Sequence, residues 1–138
     1  MTAAHVEKND VLLSSTGTGT LGKACVYDSD WPAVADGHVT IIRVNPKKVN
    51  PYYLADYLRV EPGAMQVERL YTGSTGLIEL QPEEVDLILI DLSLSPAAQK
   101  AMTDKLRSAE TAYRKALKGA EGELTTARDV FSSAIKAD

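Results

Sequence analysis

The sequence of 138 residues has little of several things: one cysteine, one tryptophan, one phenylalanine and no long apolar run. A single cysteine excludes an internal disulfide framework and disfavours a metal site built from thiolates. The first residues lack the apolar core of a signal peptide, and no apolar run approaches the roughly 20 residues of a membrane span. We therefore expect a cytoplasmic protein with one ordinary domain, or with a small domain and an appendage.

Positive charge is also scarce, because the formal net charge is −4. The imbalance lies in the first part of the chain: residues 1–93 hold 7 Lys and Arg against 13 Asp and Glu, and residues 94–138 hold 8 against 6. This balance argues against a generic polyanion-binding protein. Any contact with nucleic acid must use a local face of the molecule, since the overall field repels a polyanion.

Proline and glycine divide the chain into two unlike parts. Five of the six prolines and seven of the nine glycines lie within residues 1–93, which is typical of short strands joined by tight turns. Apolar and β-branched content predicts strands over Val11–Ser15, Ala24–Tyr27, His38–Val44, Leu77–Leu80 and Leu87–Leu92. Asn50 before a proline predicts a helix over Pro51–Val60, and a second short helix follows over Pro62–Leu70. Region 1–94 is thus predicted to be a small mixed α+β globule.

Residues 95–138 are predicted to form a long C-terminal coiled-coil helix, with its regular part over 96–136. Steps of three and four residues place one apolar seam on the helix, formed by Met102, Leu106, Ala109, Tyr113, Ala116, Ala120, Leu124, Ala127, Phe131 and Ala134. Two consecutive four-residue steps resemble a stutter and coincide with Gly119 and Gly122, where we expect a bend or a two-segment helix. The helix would extend roughly 60 Å, which is longer than a globule of about 90 residues. The seam therefore needs a partner helix.

Two stretches overlap catalytic motifs. Gly17–Ala24 nearly matches the phosphate-binding P-loop, but Ala24 lacks the hydroxyl that binds Mg²⁺, and residues 24–32 predict a strand and a turn instead of the required helix. The alternative is a glycine-rich connection between two strands. Residues 50–53, Asn-Pro-Tyr-Tyr, overlap the Asn-Pro-Pro-Tyr motif of adenine N6-methyltransferases, yet the second proline is missing. Without a nucleophile–base pair or a metal-ligand cluster, we predict no enzymatic activity, no cofactor and no metal.

Single residues give weaker signals. Cys25 is predicted to be a small buried apolar side chain in its strand. His5 is expected to lie in a frayed start of the chain, and Trp31 to cap an edge of the core.

The series of motifs resembles one family. Asn9–Gly17 resembles the opening motif, Gly-Asp-hydrophobic-Leu-hydrophobic-Ser, of target-recognition domains in the specificity subunits of type I restriction–modification systems. Further similar motifs follow in the family's order: Gly22-Lys23, the stretch 36–43, the helix that begins Pro51-Tyr52-Tyr53-Leu54, residues 73–76 before Ile78-Glu79-Leu80, and Leu87–Leu92 leading through Pro96 and Gln99 into a long helix. The family usually has Gly where this chain has Asn9, and Gln where it has Gly76. The chain resembles the distal part of one recognition domain plus one spacer helix.

This resemblance implies a non-catalytic subunit that recognises a DNA sequence. In the family, two recognition domains each read half of a split sequence, and two long antiparallel helices hold them apart and dock methyltransferase subunits. The implied partners are DNA, the methyltransferase and restriction subunits, and a second copy of the chain bound through the seam from Met102 to Phe131. The rival function is a helix-mediated assembly module, or a remnant of a specificity subunit, without DNA binding of its own.

Candidate DNA contacts follow from side-chain chemistry. Hydroxyls and backbone amides commonly contact phosphate, while Arg and Lys add charge and read bases. The first candidates lie in one loop, at Ser15, Thr16, Thr18, Thr20 and Lys23, and the second candidates are Arg43, Lys47 and Lys48. A further hydroxyl cluster comprises Thr72, Ser74 and Thr75, for which a purely structural loop is the alternative.

Overall fold

The computed structural model describes residues 4–136. Its strands are β1 Ala4–Val6, β2 Val11–Ser14, β3 Ala24–Val26, β4 Ala33–Ala35 and β5 Val39–Ile42, and its helices are α1 Pro51–Arg59, α2 Gly63–Leu70, α3 Pro82–Val85 and α4 Pro96–Ile135. The predicted fold class, a small α+β globule followed by a long C-terminal helix, is confirmed.

The chain divides into two compact units, with the division between Thr103 and Asp104. We call residues 4–103 the globule and residues 104–135 the distal α4. The sequence predicted a boundary between residues 94 and 95, at the start of α4. In the structure the first two turns of α4, residues 96–103, belong to the globule. Among the described residues, no helix is both long and apolar enough to cross a membrane.

The core of the globule is built around β2. This strand is the centre of an antiparallel sheet in the order β3-β2-β5, in which Val11 faces Val26 on one side and Ile42 on the other. Val11 and Leu13 alternate with less buried neighbours and are fully buried, as the period of a half-buried strand requires. They form one cluster with side chains of α1, α2 and residue 80, namely Leu54, Ala55, Leu58, Val67 and Leu80.

Helix α1 begins where the sequence predicts. The Asn50 side chain accepts hydrogen bonds from the amides of Tyr52 at 2.9 Å and Tyr53 at 3.3 Å, and Pro51 occupies the first helical position, where its missing N–H is not needed. The next helix, α2, starts at Gly63, where a Cβ would overlap the carbonyl oxygen of Tyr57. α1 and α2 therefore pack at a backbone approach that only glycine permits.

Two predicted strands are not strands. Within the predicted strand Leu77–Leu80, Glu79 makes isolated bridges to Thr16 and Thr72. Within Leu87–Leu92, the backbone of Leu89 bonds to a side chain of α2 and not to a neighbouring strand. The Gln66 side chain accepts from the Leu89 amide and donates to the Leu89 carbonyl, both at 2.8 Å. Ile88 and Ile90 pack against the core, whereas Leu87 and Leu89 are exposed. The prediction was wrong because apolar content indicates burial and does not determine the hydrogen-bond partner of the backbone.

Four further expectations were wrong. Cys25 is exposed, because β3 is an edge strand and Cys25 points away from the face that Ala24 and Val26 turn to the core. Trp31 is 80% exposed and caps no core edge. His5 lies in β1 opposite Val34, so this part of the chain is ordered. The two-segment form of α4 is not found, because α4 is one uninterrupted helix across Gly119 and Gly122; isolated glycines weaken a helix without ending it.

Candidate nucleic-acid interface and helix surface

The first candidate site is the connection between β2 and β3, residues 15–23, which we call the hydroxyl loop. Its base is closed by two hydrogen bonds, from the Ser14 amide to the Lys23 carbonyl at 2.8 Å and from the Gly22 amide to the Ser14 carbonyl at 2.9 Å. Gly17, Gly19 and Gly22 have φ values of +89°, +81° and +85°, a region that side chains disfavour. The loop is thus a tight strand-to-strand turn. Because β3 follows it, no helix N-terminus is available for phosphate as in a P-loop.

Most hydroxyls of this loop are used to hold it together. Ser15 is buried, and its Oγ lies 2.9 Å from the Thr40 hydroxyl. The Thr20 hydroxyl donates to the carbonyls of Thr16 at 2.7 Å and Gly17 at 3.1 Å. Thr16 Oγ1 lies 2.9 Å from His38 Nδ1, which gives His38 a positioning role. These side chains build the loop rather than present themselves to a ligand.

Thr18 and Lys23 are the groups that the hydroxyl loop presents. Both residues are exposed. Among residues 4–136, neither side chain has a hydrogen-bond or ion-pair partner, in contrast to the three hydroxyls above. Two of the five first candidates are therefore placed to contact an external anion.

Tertiary structure brings the second hydroxyl cluster beside the first. Glu79 bridges to Thr16 and to Thr72, and the Gly17 amide donates to the Ile78 carbonyl at 3.1 Å. Two strand spacings then separate Thr16 from Thr72, about 10 Å. The loop 72–77 carries Ser74 and Thr75 and is exposed throughout. The two clusters, distant in sequence, share one edge of the globule.

An open cleft of about 610 Å³ lies between the hydroxyl loop and the helices α1 and α2. Lys23, Arg59 and Glu68 are its charged lining residues. Arg59 is held by the carboxylate of Asp56, with Nη2 to Oδ1 at 2.7 Å, so Lys23 is the cation that the cleft offers most directly to an anion.

Arg43 lies in a structural ion pair. Its Nε and Nη2 donate to the two oxygens of Asp10, both at 2.8 Å, and its Nη1 lies 2.9 Å from Glu7 Oε1. Asp10 is buried, and hydrogen bonds from Arg43 hold the pKa of its carboxyl below the usual value, although burial alone would raise it. The same pair raises the pKa of Arg43. This bidentate geometry uses the guanidinium edge that base reading would also require.

The opening motif around Asn9 now has a physical explanation. Asn9 adopts φ +73°, and asparagine is among the few non-glycine residues that enter this region readily. The turn it forms places Asp10 so that its carboxylate accepts from the Glu7 amide at 2.7 Å as well as from Arg43. Asn9 therefore suits a position where the resembled family usually has glycine.

Lys47 and Lys48 lie in a different place from Lys23. Both are exposed in the turn just before α1, whereas Lys23 lines a cleft with Leu58 and Arg59 at the other end of that helix. Nine residues of α1 separate the two groups by roughly 13 Å. The eight predicted contacts thus fall into a hydroxyl-loop group and a group at the start of α1.

Sequence reasoning missed the residues that anchor α4. Gln99 is fully buried, accepts from the Asn50 amide at 2.8 Å and donates to the carbonyls of Lys48 and Leu94 at 3.2 and 2.9 Å. Thr103, one turn later, donates to Tyr52 and to the buried Asp56 carboxylate. The signal was two polar residues four positions apart, on one helix face, but Gln99 was noted only as part of the family motif and Thr103 was not noted.

The distal α4 shows an apolar seam without cover. Tyr113, Leu124 and Phe131 are 67%, 52% and 69% exposed. Leu106 is partly buried, and the remaining seam positions of the distal α4 are exposed alanines. Contiguous apolar exposure of this kind marks an interaction surface.

Comparisons with known proteins give no assignment. No family model matches the chain, and no curated protein matches it. Within the described residues, no three His, Cys, Asp or Glu side chains are grouped so that they could hold a metal ion. The resemblance to specificity subunits stays a prediction from the sequence.

Proposed function

We propose that this chain is a non-catalytic DNA-recognition subunit of the type I restriction–modification specificity class. In this proposal it acts in the cytoplasm, reads a DNA half-site with its globule and docks a methyltransferase subunit and a second helix through α4. One observation carries the proposal: two glycine-built hydroxyl loops lie side by side on the globule, and the same chain continues into a helix with an uncovered apolar seam.

The loop chemistry fits contact with a phosphate backbone. Thr18, Lys23, Ser74 and Thr75 are exposed donors in two loops that are joined by the bridges from Glu79 to Thr16 and Thr72. Hydroxyls, backbone amides and lysine are among the groups that contact phosphate oxygens in protein–DNA complexes. The internal hydrogen bonds of Ser15 and Thr20 hold the first loop in one shape, so little ordering entropy is lost on binding. Lys23 supplies the charge and the other groups position the backbone.

DNA-binding measurements with matched lysine variants test this function. The probe is a fluorescent 30-bp duplex pool of random sequence, titrated with the full chain alone and with its methyltransferase subunit at several salt concentrations. Each neutralised phosphate contributes about 0.9 to the slope of log affinity against log salt, so two to four contacts give a slope of roughly −2 to −4 per globule. Lys23→Ala should reduce this slope by about one.

Two controls locate the surface. Lys118→Ala removes an exposed lysine of the distal α4 and should leave the slope unchanged. Lys47→Ala tests whether the group at the start of α1 also touches DNA. Arg43→Ala is not a clean variant because it would leave the buried Asp10 carboxylate without its main partner. If Lys23→Ala and Lys47→Ala both bind the duplex as the parent does, the globule does not read DNA through these loops.

Catalysis is not part of the proposal. Ala24 stands where a P-loop has its magnesium-binding hydroxyl, and the following element is a strand. Purified protein should neither hydrolyse ATP nor transfer methyl groups. ATP turnover that disappears in Lys23→Ala would contradict this expectation.

A second candidate function is an assembly module that acts through α4 alone. Two observations favour it: Arg43 is neutralised by Asp10 and Glu7, and the exposed Glu79 lies between the two hydroxyl loops. Both reduce the attraction of the globule for a polyanion. Tight docking on a methyltransferase subunit without any gain in duplex binding would identify this function.

A further inference from the structure

The seam of the distal α4 is symmetric about one residue. From Ala120 the next seam residues lie four positions away in both directions, Ala116 and Leu124, and the steps then continue as three, four and three on both sides. The apparent stutter is thus the centre of a palindrome. The uninterrupted helix keeps this spacing regular across Gly119 and Gly122.

The residues related by this symmetry alternate in size. Each large seam residue has an alanine at the equivalent position on the other side of Ala120, which gives the pairs Leu106 with Ala134, Phe131 with Ala109, Tyr113 with Ala127, and Leu124 with Ala116. When a large side chain on one helix faces a small one on the other, the two helices interdigitate without voids or overlap. An antiparallel partner of identical sequence would present this complement at each of these four pairs, with Ala120 opposite Ala120 at the centre.

We propose that the distal α4 binds the distal α4 of a second copy, antiparallel, with the two-fold axis passing through Ala120. The four large–small pairs then occur twice, along roughly 40 Å of helix, and the two copies of Ala120 face each other. This proposal specifies the partner helix of the proposed function and rests on that part of it, but it does not depend on DNA binding.

Charge supports the antiparallel direction. Residues 104–118 hold five basic side chains against two acidic ones, and residues 119–136 hold two against three. Antiparallel pairing brings the positive half of one helix against the negative half of the other and opposes the two helix dipoles. A parallel pair would bring the two positive halves together. The isologous contact also closes with two copies.

Gly119, one position before the axis, meets no packing need among residues 4–136. A Cβ there would meet no atom within 4 Å, although a glycine costs about 1 kcal/mol relative to alanine in a helix interior. Gly119 flanks the seam at Ala120, so in the proposed pair it would let the two backbones approach closely at the axis. Gly122 lies on the opposite face of the helix, about 200° from Ala120, and the pair does not explain it.

Disulfide trapping tests the axis in the full-length chain without DNA. All variants start from Cys25→Ser, because Cys25 is exposed. Ala120→Cys should give a covalent dimer on mild oxidation, since the two thiols meet at the axis. Ala109→Cys is the matched control: its two copies would be about 30 Å apart along the bundle and should not cross-link. Equal trapping of both variants would show parallel helices, and trapping of neither would exclude this axis.

A size exchange tests the register. Ala109→Phe places two large rings opposite each other and Phe131→Ala leaves a gap, so each should raise the dimer dissociation constant at least about tenfold, which corresponds to roughly 1.4 kcal/mol. The double variant Ala109→Phe/Phe131→Ala restores a large–small pair and should return the constant to within about threefold of the parent, a coupling that only contacting residues show. Additive losses, or a parent that sediments as a monomer at tens of micromolar, would overturn the proposal. Neither result depends on the duplex titrations, so the two failures are distinguishable.

Discussion

The globule and the distal α4 use the same apolar residue types in opposite ways. In the globule Leu13, Leu58 and Leu80 are at most 1% exposed, whereas Leu124 and Phe131 of the distal α4 are 52% and 69% exposed. The globule closes its core within one chain, so its apolar residues are explained by its own fold. The distal α4 leaves the same residue types exposed, and a second helix is the partner that we propose for them.

The largest expected difference comes from matched leucine truncations in the two regions. Leu13→Ala removes a fully buried side chain and should lower the free energy of unfolding by about 2–5 kcal/mol. Leu124→Ala should change it little at low protein concentration and more at high concentration, where dimers form. Urea denaturation at two protein concentrations checks both. A large concentration-independent loss in Leu124→Ala would remove the distinction between the regions.

Charge on the seam should separate the copies without affecting the globule. In Leu106→Lys/Phe131→Lys, four lysines enter the proposed helix pair, and the unpaired charges should weaken it at least about 100-fold, or roughly 2.7 kcal/mol. Sedimentation should then show monomers. The control Ser108→Lys/Ser133→Lys adds the same charges off the seam, and loss of dimers there would point to net charge alone.

The ion pair between the buried Asp10 and the half-exposed Arg43 should make the globule sensitive to acid. The folded-state pKa of Asp10 lies below its usual value, so its contribution to stability is complete above about pH 4 and is lost as pH falls through the folded pKa. Asp10→Asn should lower the free energy of unfolding at pH 7 by about 1.5–3 kcal/mol and flatten the loss below pH 4. An unchanged acid profile in Asp10→Asn would assign the sensitivity to other carboxyl groups.

The smallest expected effect compares two threonines of the same helix. Thr103 is buried and donates to the Tyr52 carbonyl, while Thr125 is exposed and donates only to the preceding turn at Glu121. Thr103→Ala should lower the free energy of unfolding by about 1–2 kcal/mol. Thr125→Ala should have no effect or stabilise slightly, since alanine has the higher helix propensity. Thermal denaturation of both variants measures the difference, and equal effects would argue against the Thr103 anchor.

Local sequence patterns were sufficient to predict the helices and strands that are determined by residues close together in the chain. Asn50 before Pro51 predicted the start of α1, because a cap and its helix interact within one turn. The spacing of three and four residues predicted α4. Apolar and β-branched content predicted β2. The hydroxyl loop was also recognised as a strand connection, since Ala24 and the residues after it carry strand character.

Only the tertiary structure decided which side chains stay available for a partner. Ser15 is buried, the Thr20 hydroxyl donates to carbonyls of its own loop, Arg43 is paired with Asp10, and the loop around Thr72 lies beside Thr16. Gln99 and Thr103 took buried positions because backbone groups at Asn50 and Tyr52 needed partners there. These outcomes depend on contacts between residues far apart in sequence, and residue type alone does not encode them. The seam of the distal α4 differs from these groups, because its symmetry about Ala120 can be read from the sequence alone. Within a single helix, the order of residues along the chain is also their order in space.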